Sequence, residues 1–216
     1  KLRGNENILR NSIRFTAEQD SLNASVLGPD AQVGTPEFDL FVKEVQREMT
    51  IKAGQKCTAI RRILVPPGTS NAIIETLDKR LANITLGDPR EEGTKMGALV
   101  SNAQKNDVLK KIAQISSEAK RVIGDPKNHA MSKSKGAYLP PIVFLCDDPD
   151  SAQHVHDTEA FGPVSTIMEY RDLGHATELL NKGKGSLVAS CITHDGDVAR
   201  EIAMASGAFH GRLYFN

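Results

Sequence analysis

The sequence predicts an α/β domain in which helices cover a largely parallel sheet. Helix and strand signals alternate along the whole chain of 216 residues, and 39% of these residues are apolar. A chain of this length forms one large domain, or one domain and part of another, and it can bury a full core without disulfides or metals. Length, composition and alternation therefore agree on one fold class.

Seven short runs rich in β-branched and other apolar residues predict the strands of this sheet. They lie at residues 25–28, 62–65, 121–123, 142–146, 164–168, 187–193 and 213–215. Pro29 closes the first run and Pro66 closes the second. The segments between most of these runs are long enough to hold the crossover helices that parallel strands require.

The helix after the first strand has the clearest start signal. Thr35 predicts its N-cap, Pro36 its first residue and Glu37 an acid in its first turn. Apolar residues then recur every three or four positions until about Lys52, and Gly54 predicts the end of the helix.

Further helices are predicted from their caps and periodicity. Ser70 predicts the N-cap of the helix after the second strand, and Ser101 with Gln104 predicts a capping box for the next one. The last two helices are expected around residues 175–181 and 197–205. The polar, lysine-rich segment 125–135 predicts a surface loop.

Charge and composition exclude several classes of function. The chain has 27 basic and 27 acidic residues, which argues against a nucleic-acid or membrane partner that needs a clustered basic surface. No apolar run approaches the roughly 20 residues that span a bilayer. The chain begins at Lys1 and not at a methionine, so we expect a piece of a longer cytoplasmic polypeptide.

The cysteine and histidine patterns predict neither disulfides nor a metal site. Cys57, Cys146 and Cys191 are too few and too scattered for a disulfide framework, which fits a reducing compartment. No CxxC pair occurs, and His154 with His156 lacks a further set of ligands.

Cys57 is the strongest candidate for chemistry. Its neighbourhood is polar, with Lys56, Arg61 and Arg62 close in sequence, and a half-exposed thiol in cationic surroundings ionises below about 8.5 and becomes a nucleophile. The alternative is a small buried hydrophobe, which suits the other two cysteines well. Local chemistry alone leaves both interpretations of Cys57 open.

Two glutamates are weaker candidates when each is considered alone. Glu159 lies two residues before Phe161, Gly162 and Pro163, on a loop that leads into a predicted strand. A loop of this kind permits a ligand contact, but considered alone the pattern favours a solvated glutamate. Glu18 lies in a polar stretch that by itself indicates wet surface.

Taken together, these segments resemble the aldehyde dehydrogenase superfamily. Residues 54–57 (Gly-Gln-Lys-Cys) resemble its nucleophile motif, and residues 159–163 (Glu-Ala-Phe-Gly-Pro) resemble its Glu-x-Phe-Gly-Pro cofactor motif. Gly-Asp-Pro at 87–89 and Gly-Ala-Leu at 97–99 resemble a third family motif, with Ala98 in place of the usual proline. The three motifs occur in the family's order, and Glu18 precedes Cys57 by 39 residues, which suits the family's general base.

The segments 18–23 and 45–62 further resemble the branch of the superfamily that acts in phenylacetate catabolism. Members of that branch oxidise a CoA-linked semialdehyde, next to a separate hydratase-like domain. The resemblance covers essentially the whole chain.

The resemblance implies a role for each candidate residue. Cys57 is the expected nucleophile, Glu18 the general base, and Glu159 and Phe161 the cofactor-binding residues. The expected fold is the three-layer α/β/α catalytic domain at residues 24–216, preceded by the tail of a cofactor-binding domain at residues 1–23.

The same resemblance implies the partners. The cofactor is NADP or NAD, held mainly by a domain outside this chain, and no metal is expected. The substrate is a small aldehyde, expected to be CoA-linked, and the full-length protein is expected to form a homo-oligomer. The chain by itself is expected to be inactive, because an asparagine of the oxyanion hole lies outside it.

Three rival interpretations remain at this stage. The chain could belong to another aldehyde dehydrogenase branch, or it could be a cysteine-dependent hydrolase or acyltransferase without nicotinamide. The hydrolase requires a histidine hydrogen-bonded to Cys57. The third rival is a non-enzymatic domain that keeps the fold without the chemistry.

Overall fold

The computed structural model describes residues 4–12, 14 and 19–216. Its centre is a seven-stranded sheet in the order β3-β4-β5-β2-β1-β6-β7. The strands are β1 (Ala24–Leu27), β2 (Arg62–Val65), β3 (Lys120–Ile123), β4 (Ile142–Cys146), β5 (Val164–Glu169), β6 (Ser186–Ile192) and β7 (His210–Phe215). Neighbouring strands are parallel except for β3 and β4, which are antiparallel.

Helices cover both faces of this sheet. They are α2 (Pro36–Thr50), α3 (Ser70–Leu81), α4 (Asn102–Ile115), α5 (His154–Asp157), α6 (Leu173–Asn181) and α7 (Gly196–Ser206), and the short helix α1 (Glu6–Arg10), which buries no residue, precedes β1. The buried residues of α2 and α3 share one core cluster with one face of the sheet, and those of α4 to α7 share the other. The expected three-layer α/β/α fold with a largely parallel sheet is confirmed.

The predicted elements are confirmed with small shifts of their ends. All seven strands form, and the largest difference is at β7, which begins at His210 and not at residue 213. The hydroxyl of Thr35 accepts a hydrogen bond from the backbone N–H of Phe38 (3.3 Å) and caps α2 as expected. The short helices α1 and α5 were not predicted, because one turn holds too few residues to show a period.

The predicted cap of α3 is wrong. Ser70 is the first helical residue and Thr69 is the N-cap, but the Thr69 side chain makes no capping bond. Instead, the carboxylate of Glu169 in β5 accepts hydrogen bonds from the N–H groups of Gly68 (3.0 Å) and Ser70 (2.9 Å). Burial opposes ionisation of Glu169, yet these bonds outweigh it, so its pKa is lowered.

The predicted capping box of α4 is half right. The hydroxyl of Ser101 accepts from the backbone N–H of Gln104 (3.1 Å), as expected. The Gln104 side chain, however, donates to the backbone carbonyl of Phe161 (2.9 Å) and does not return to the helix start. A tertiary contact has replaced the local one.

Cys146 and Cys191 are buried, as predicted. Burial raises the pKa of Cys146 to about 11 and that of Cys191 to about 12. The segment 125–135 forms turns and bends without a helix or strand, which confirms a surface loop. No helix among the described residues is long and apolar enough to cross a membrane.

Arg62 is a fully buried cation in the layer between the sheet and α6. Its guanidinium donates to the carbonyls of Leu22 (2.9 Å), Leu179 (2.7 Å) and Leu180 (2.9 Å). The last two carbonyls belong to the C-terminal turn of α6, where the helix leaves acceptors unpaired and favours positive charge. Burial lowers the pKa of Arg62 to about 10, so it stays charged at neutral pH.

Because Arg62 satisfies three carbonyls at once, its loss should destabilise the fold. We expect Arg62→Met to lower the free energy of unfolding by on the order of 3 kcal/mol, since several buried acceptors lose their donor. Urea unfolding followed by circular dichroism measures this. The exposed Arg121→Met is the control, expected within about 0.5 kcal/mol of wild type. Equal stability of the two variants would contradict the role given to Arg62.

His156 lies beside this arginine. Because arginine only donates, the His156 Nδ1 atom accepts from Arg62 (3.3 Å), and its Nε2–H donates to the carbonyl of Pro149 (2.8 Å). Burial, and then the positive charge of Arg62, lower the pKa of His156 to about 4, although the bond to Pro149 acts in the opposite direction. His156 is therefore neutral in the folded protein at neutral pH.

This pKa predicts a loss of stability in acid. The unfolded chain protonates His156 near its ordinary pKa of about 6.5, so between pH 6.5 and about 4 the unfolded state binds more protons than the folded one. As the pH is lowered through that window, the free energy of unfolding should decrease, and His156 should contribute up to about 1.4 kcal/mol of this decrease per pH unit. Urea unfolding at pH 7, 6 and 5 should show a shallower fall for His156→Gln, whereas His154→Gln, on the same short helix, should follow wild type. Identical pH profiles for all three proteins would refute this assignment.

Candidate active site

Four neighbouring strands place their preceding loops at one edge of the sheet. The order β5-β2-β1-β6 brings together Glu159 before β5, Cys57 before β2, Ser21 before β1 and Leu187 at the start of β6. These residues line one cavity of about 390 Å³. The described residues that line it are Gln19, Asp20, Ser21, Cys57, Gln104, Asp107, Lys111, Glu159, Phe161 and Leu187.

The turn that carries Cys57 has an unusual backbone. Lys52, Ala53 and Gly54 all have positive φ angles, of 53°, 51° and 69°. A left-handed conformation costs a residue with a side chain roughly 1–2 kcal/mol, so the surroundings must hold this turn. Gly54 cannot carry a side chain, because a Cβ atom there would lie 2.2 Å from the carbonyl oxygen of Gly162.

Asn23 fixes the segment just after the thiol. Its fully buried amide donates to the carbonyls of Cys57 (2.8 Å) and Ala59 (2.9 Å). Its oxygen accepts from the Ser21 hydroxyl (2.7 Å) and the Val188 N–H (3.1 Å). All four hydrogen-bonding positions of the amide are used. The sequence showed Asn23 only as part of a motif and gave it no role.

Glu159 is buried, so the interpretation of a solvated glutamate is wrong. Its carboxylate accepts from the backbone N–H of Ser21 (3.2 Å) and from Nε of Arg61 (3.4 Å). Burial raises the pKa of Glu159, and the charge of Arg61 and the bond from Ser21 offset part of that rise. A buried carboxylate with free lone pairs beside a cavity can accept hydrogen bonds from ligand hydroxyl groups.

Cys57 is exposed in this structure. The three cations near it in sequence contact other groups: the Lys56 ammonium bonds to Glu48 (2.7 Å), Arg61 pairs with Glu159, and Arg62 points into the core. All three cations thus have partners other than the thiol, and the activation of Cys57 by its cationic neighbours stays a prediction.

One face of α4 forms another wall of the cavity. Gln104, Asp107 and Lys111 lie on one helix face, and Lys111 pairs with Asp107 (3.0 Å). Phe161 lines the cavity beside them, and its ring centroid lies 5.5 Å from the Arg61 guanidinium carbon. The spacing of the three helix residues at i, i+3 and i+7 was visible in the sequence, but nothing there indicated which face would meet the thiol.

Glu18, the predicted general base, lies outside the described residues. Gln19 and Asp20, which follow it in sequence, line the cavity. No histidine is among the described residues of the cavity wall, so the hydrolase alternative finds no partner for Cys57 there. The described part of the chain also holds no group of three or more metal-ligating side chains.

Comparison with known proteins relates nearly the whole chain to one family. The profile of the "Aldehyde dehydrogenase family" matches residues 5–216. A 3,4-dehydroadipyl-CoA semialdehyde dehydrogenase from Aromatoleum evansii is 43% identical over 99% of this chain and 42% of its own length. Protein MaoC from Klebsiella aerogenes is 38% identical over 55% of this chain and 35% of its own length. The chain thus spans less than half of these relatives.

Solved structures share the fold. A betaine aldehyde dehydrogenase from Staphylococcus aureus in complex with NAD⁺ superposes with a TM-score of 0.84 at 23% identity, over 97% of this chain and 40% of the other. A gamma-glutamyl-gamma-aminobutyraldehyde dehydrogenase from Burkholderia cenocepacia gives 0.78 at 26% identity, over 92% and 38%. With the family profile matching nearly every residue, the chain belongs to the aldehyde dehydrogenase family.

Proposed function

We propose that this chain is the thiol-bearing portion of an NAD(P)-dependent aldehyde dehydrogenase that oxidises a CoA-linked semialdehyde to the acid. The observation that carries the proposal is the convergence of the exposed Cys57 and the buried Glu159 on one cavity. Similarity to the CoA-semialdehyde dehydrogenase of Aromatoleum supports the CoA-linked substrate. The Staphylococcus enzyme, whose structure was solved in complex with NAD⁺, supports a nicotinamide cofactor.

The residues of the cavity fit a nicotinamide nucleotide. Glu159 offers carboxylate lone pairs to ribose hydroxyls, and Phe161 offers an apolar face beside it. When bound, the cofactor supplies the hydride acceptor, which the chain itself lacks. We favour NADP over NAD because the chain resembles the phenylacetate branch. We also propose that a separate domain makes most of the cofactor contacts and that residues 1–23 are the tail of that domain.

Cys57 supplies the nucleophile in this proposal. Its thiolate attacks the aldehyde carbon, a C–S bond forms, and the carbonyl π electrons move to oxygen to give a thiohemiacetal anion. The backbone N–H of Cys57 is a donor for that oxyanion. Loss of hydride from the same carbon leaves an enzyme-bound thioester.

Glu18 completes the reaction in this proposal. Its carboxylate takes a proton from water, and the resulting hydroxide adds to the thioester carbon. The C–S bond then breaks, the acid leaves, and the Cys57 thiolate returns for the next turnover. The complete enzyme is expected to be a cytoplasmic homo-oligomer.

Substitution of the thiol tests the proposal directly in the complete enzyme, the longer polypeptide that contains this chain. Cys57→Ala should abolish NAD(P)H formation from CoA-linked aldehydes, because no C–S bond can form, and should leave cofactor binding within about two-fold of wild type. The control is Cys191→Ala, a buried cysteine away from the cavity, which should remain active. Turnover by Cys57→Ala, or turnover of wild type without nicotinamide, would overturn the proposal.

Glu18→Gln separates the two halves of the reaction. The amide cannot take a proton from water, so the thioester should form once and then persist. Stopped-flow absorbance of the reduced cofactor should show a burst of about one equivalent per site and a steady rate at least about a hundred-fold below wild type. Glu6→Gln, in the exposed helix α1, is the control. A linear time course at the wild-type rate would remove Glu18 from the base role.

A further inference from the structure

The buried Arg61 side chain joins the two loops on which the proposed function depends. Its Nη2 group donates to the carbonyls of Gly54 (2.8 Å) and Lys56 (3.3 Å), both in the turn that carries Cys57. Its Nη1 group donates to the carbonyl of Gly162 (2.7 Å), and its Nε donates to the Glu159 carboxylate (3.4 Å). One guanidinium therefore contacts both the thiol turn and the Glu159 loop.

The two loops meet closely enough to need such a link. The left-handed turn at Lys52–Gly54 is a conformation that side-chain-bearing residues rarely adopt, and Gly54 packs directly against Gly162. The carbonyls on either side of this contact are those that Arg61 satisfies. Its planar, forked guanidinium presents donors on three separate nitrogens and reaches acceptors in two segments at once, whereas a lysine carries all its donors on one nitrogen.

We propose that Arg61 is a positioning residue that fixes the Cys57 turn and the Glu159 carboxylate relative to each other before any ligand binds. The catalytic importance of this positioning rests on the proposed function, in which Cys57 is the nucleophile and Glu159 binds the cofactor. It differs from two simpler roles for Arg61. A purely electrostatic role needs only a positive charge beside Glu159, and a general structural role needs only a filled interior.

Two substitutions distinguish these roles. Arg61→Lys keeps the charge and loses the fork, and Arg61→Gln loses both. Amide hydrogen exchange, followed by peptide mass spectrometry on the 216-residue chain, reports the two loops without cofactor or substrate. Exchange in residues 53–59 and 159–163 should become about ten-fold faster in both variants, the effect of losing a charge-assisted hydrogen bond. Exchange in β3 and β4 should not change.

Lys56→Gln is the matched control for exchange. It removes a cation next to Cys57, but its backbone carbonyl still accepts from Arg61, and the wild-type side chain bonds only to Glu48 on α2 among the described residues. Exchange in both loops should stay within about two-fold of wild type. If amide exchange in the two loops is as slow in Arg61→Lys as in wild type, a positive charge alone is sufficient and the positioning role is wrong. Faster exchange throughout the chain would also overturn it, in favour of a general structural role.

Steady-state kinetics of the complete enzyme give a second test, because a general structural role of Arg61 would not change the KM for the cofactor selectively. Because Glu159 loses its oriented partner, the KM for NAD(P) should rise about ten-fold in both Arg61 variants, while the KM for the aldehyde stays within about two-fold. A lower kcat with unchanged KM for the cofactor would contradict the proposal.

A further variant covers the case in which Arg61→Gln does not fold. Glu159→Gln keeps the three hydrogen bonds from Arg61 to backbone carbonyls. Amide exchange at residues 53–59 should therefore match wild type, while the KM for the cofactor should rise. Faster exchange at residues 53–59 in this variant would contradict the proposal that Arg61 holds the two loops together. If the wild-type complete enzyme does not reduce NAD(P) at all, the proposed function fails. The exchange result then still decides whether Arg61 holds the two loops.

Discussion

The site depends on one constraint, the adjacency of four parallel strands. Neighbouring strands in a sheet lie about 4.8 Å apart, so the loops that precede β5, β2, β1 and β6 must meet at one edge. Segments far apart in sequence thereby reach a single cavity: the Glu159 carboxylate accepts from the N–H of Ser21, 138 residues away. Each segment contributes between one and three of the described lining residues, and none of them forms the cavity alone.

This edge is the amino-terminal one. Open α/β sheets usually bind ligands at the carboxyl ends of their strands, but here Cys57, Glu159 and Ser21 all precede the strands they serve. Polar loops at this end must therefore provide their own rigidity. The saturated amide of Asn23 and the branched contacts of Arg61 supply it, because each joins segments that the sheet's own hydrogen bonds do not reach.

Two consecutive arginines, Arg61 and Arg62, connect the site to the core. Side chains at successive positions of an extended chain point in opposite directions, and Arg61 and Arg62 do so at the start of β2. Arg61 reaches the cavity loops, and Arg62 reaches the end of α6 through the carbonyls of Leu179 and Leu180. Both are buried and bonded mainly to carbonyl oxygens, so a single short segment ties the site edge to the helical layer.

The sequence by itself determined what depends on local interactions. Strand runs, the period of α2 and the Thr35 cap involve residues within a few positions of each other, and all were predicted. The burial of Cys146 and Cys191 followed from their apolar neighbours. The motifs around Cys57 and Glu159 identified the family, but the sequence could not show that these two residues share a cavity.

Tertiary structure decided the contacts between distant segments. Glu169 caps α3 from 99 residues away, Gln104 bonds to Phe161 and not to its own helix start, and Arg61 pairs with Glu159 across 98 residues. In each case a local expectation failed because a better partner came within reach only after the strands had taken their order. Strand order is set by the packing of both helical layers on the sheet, and neither periodicity nor capping signals encode it.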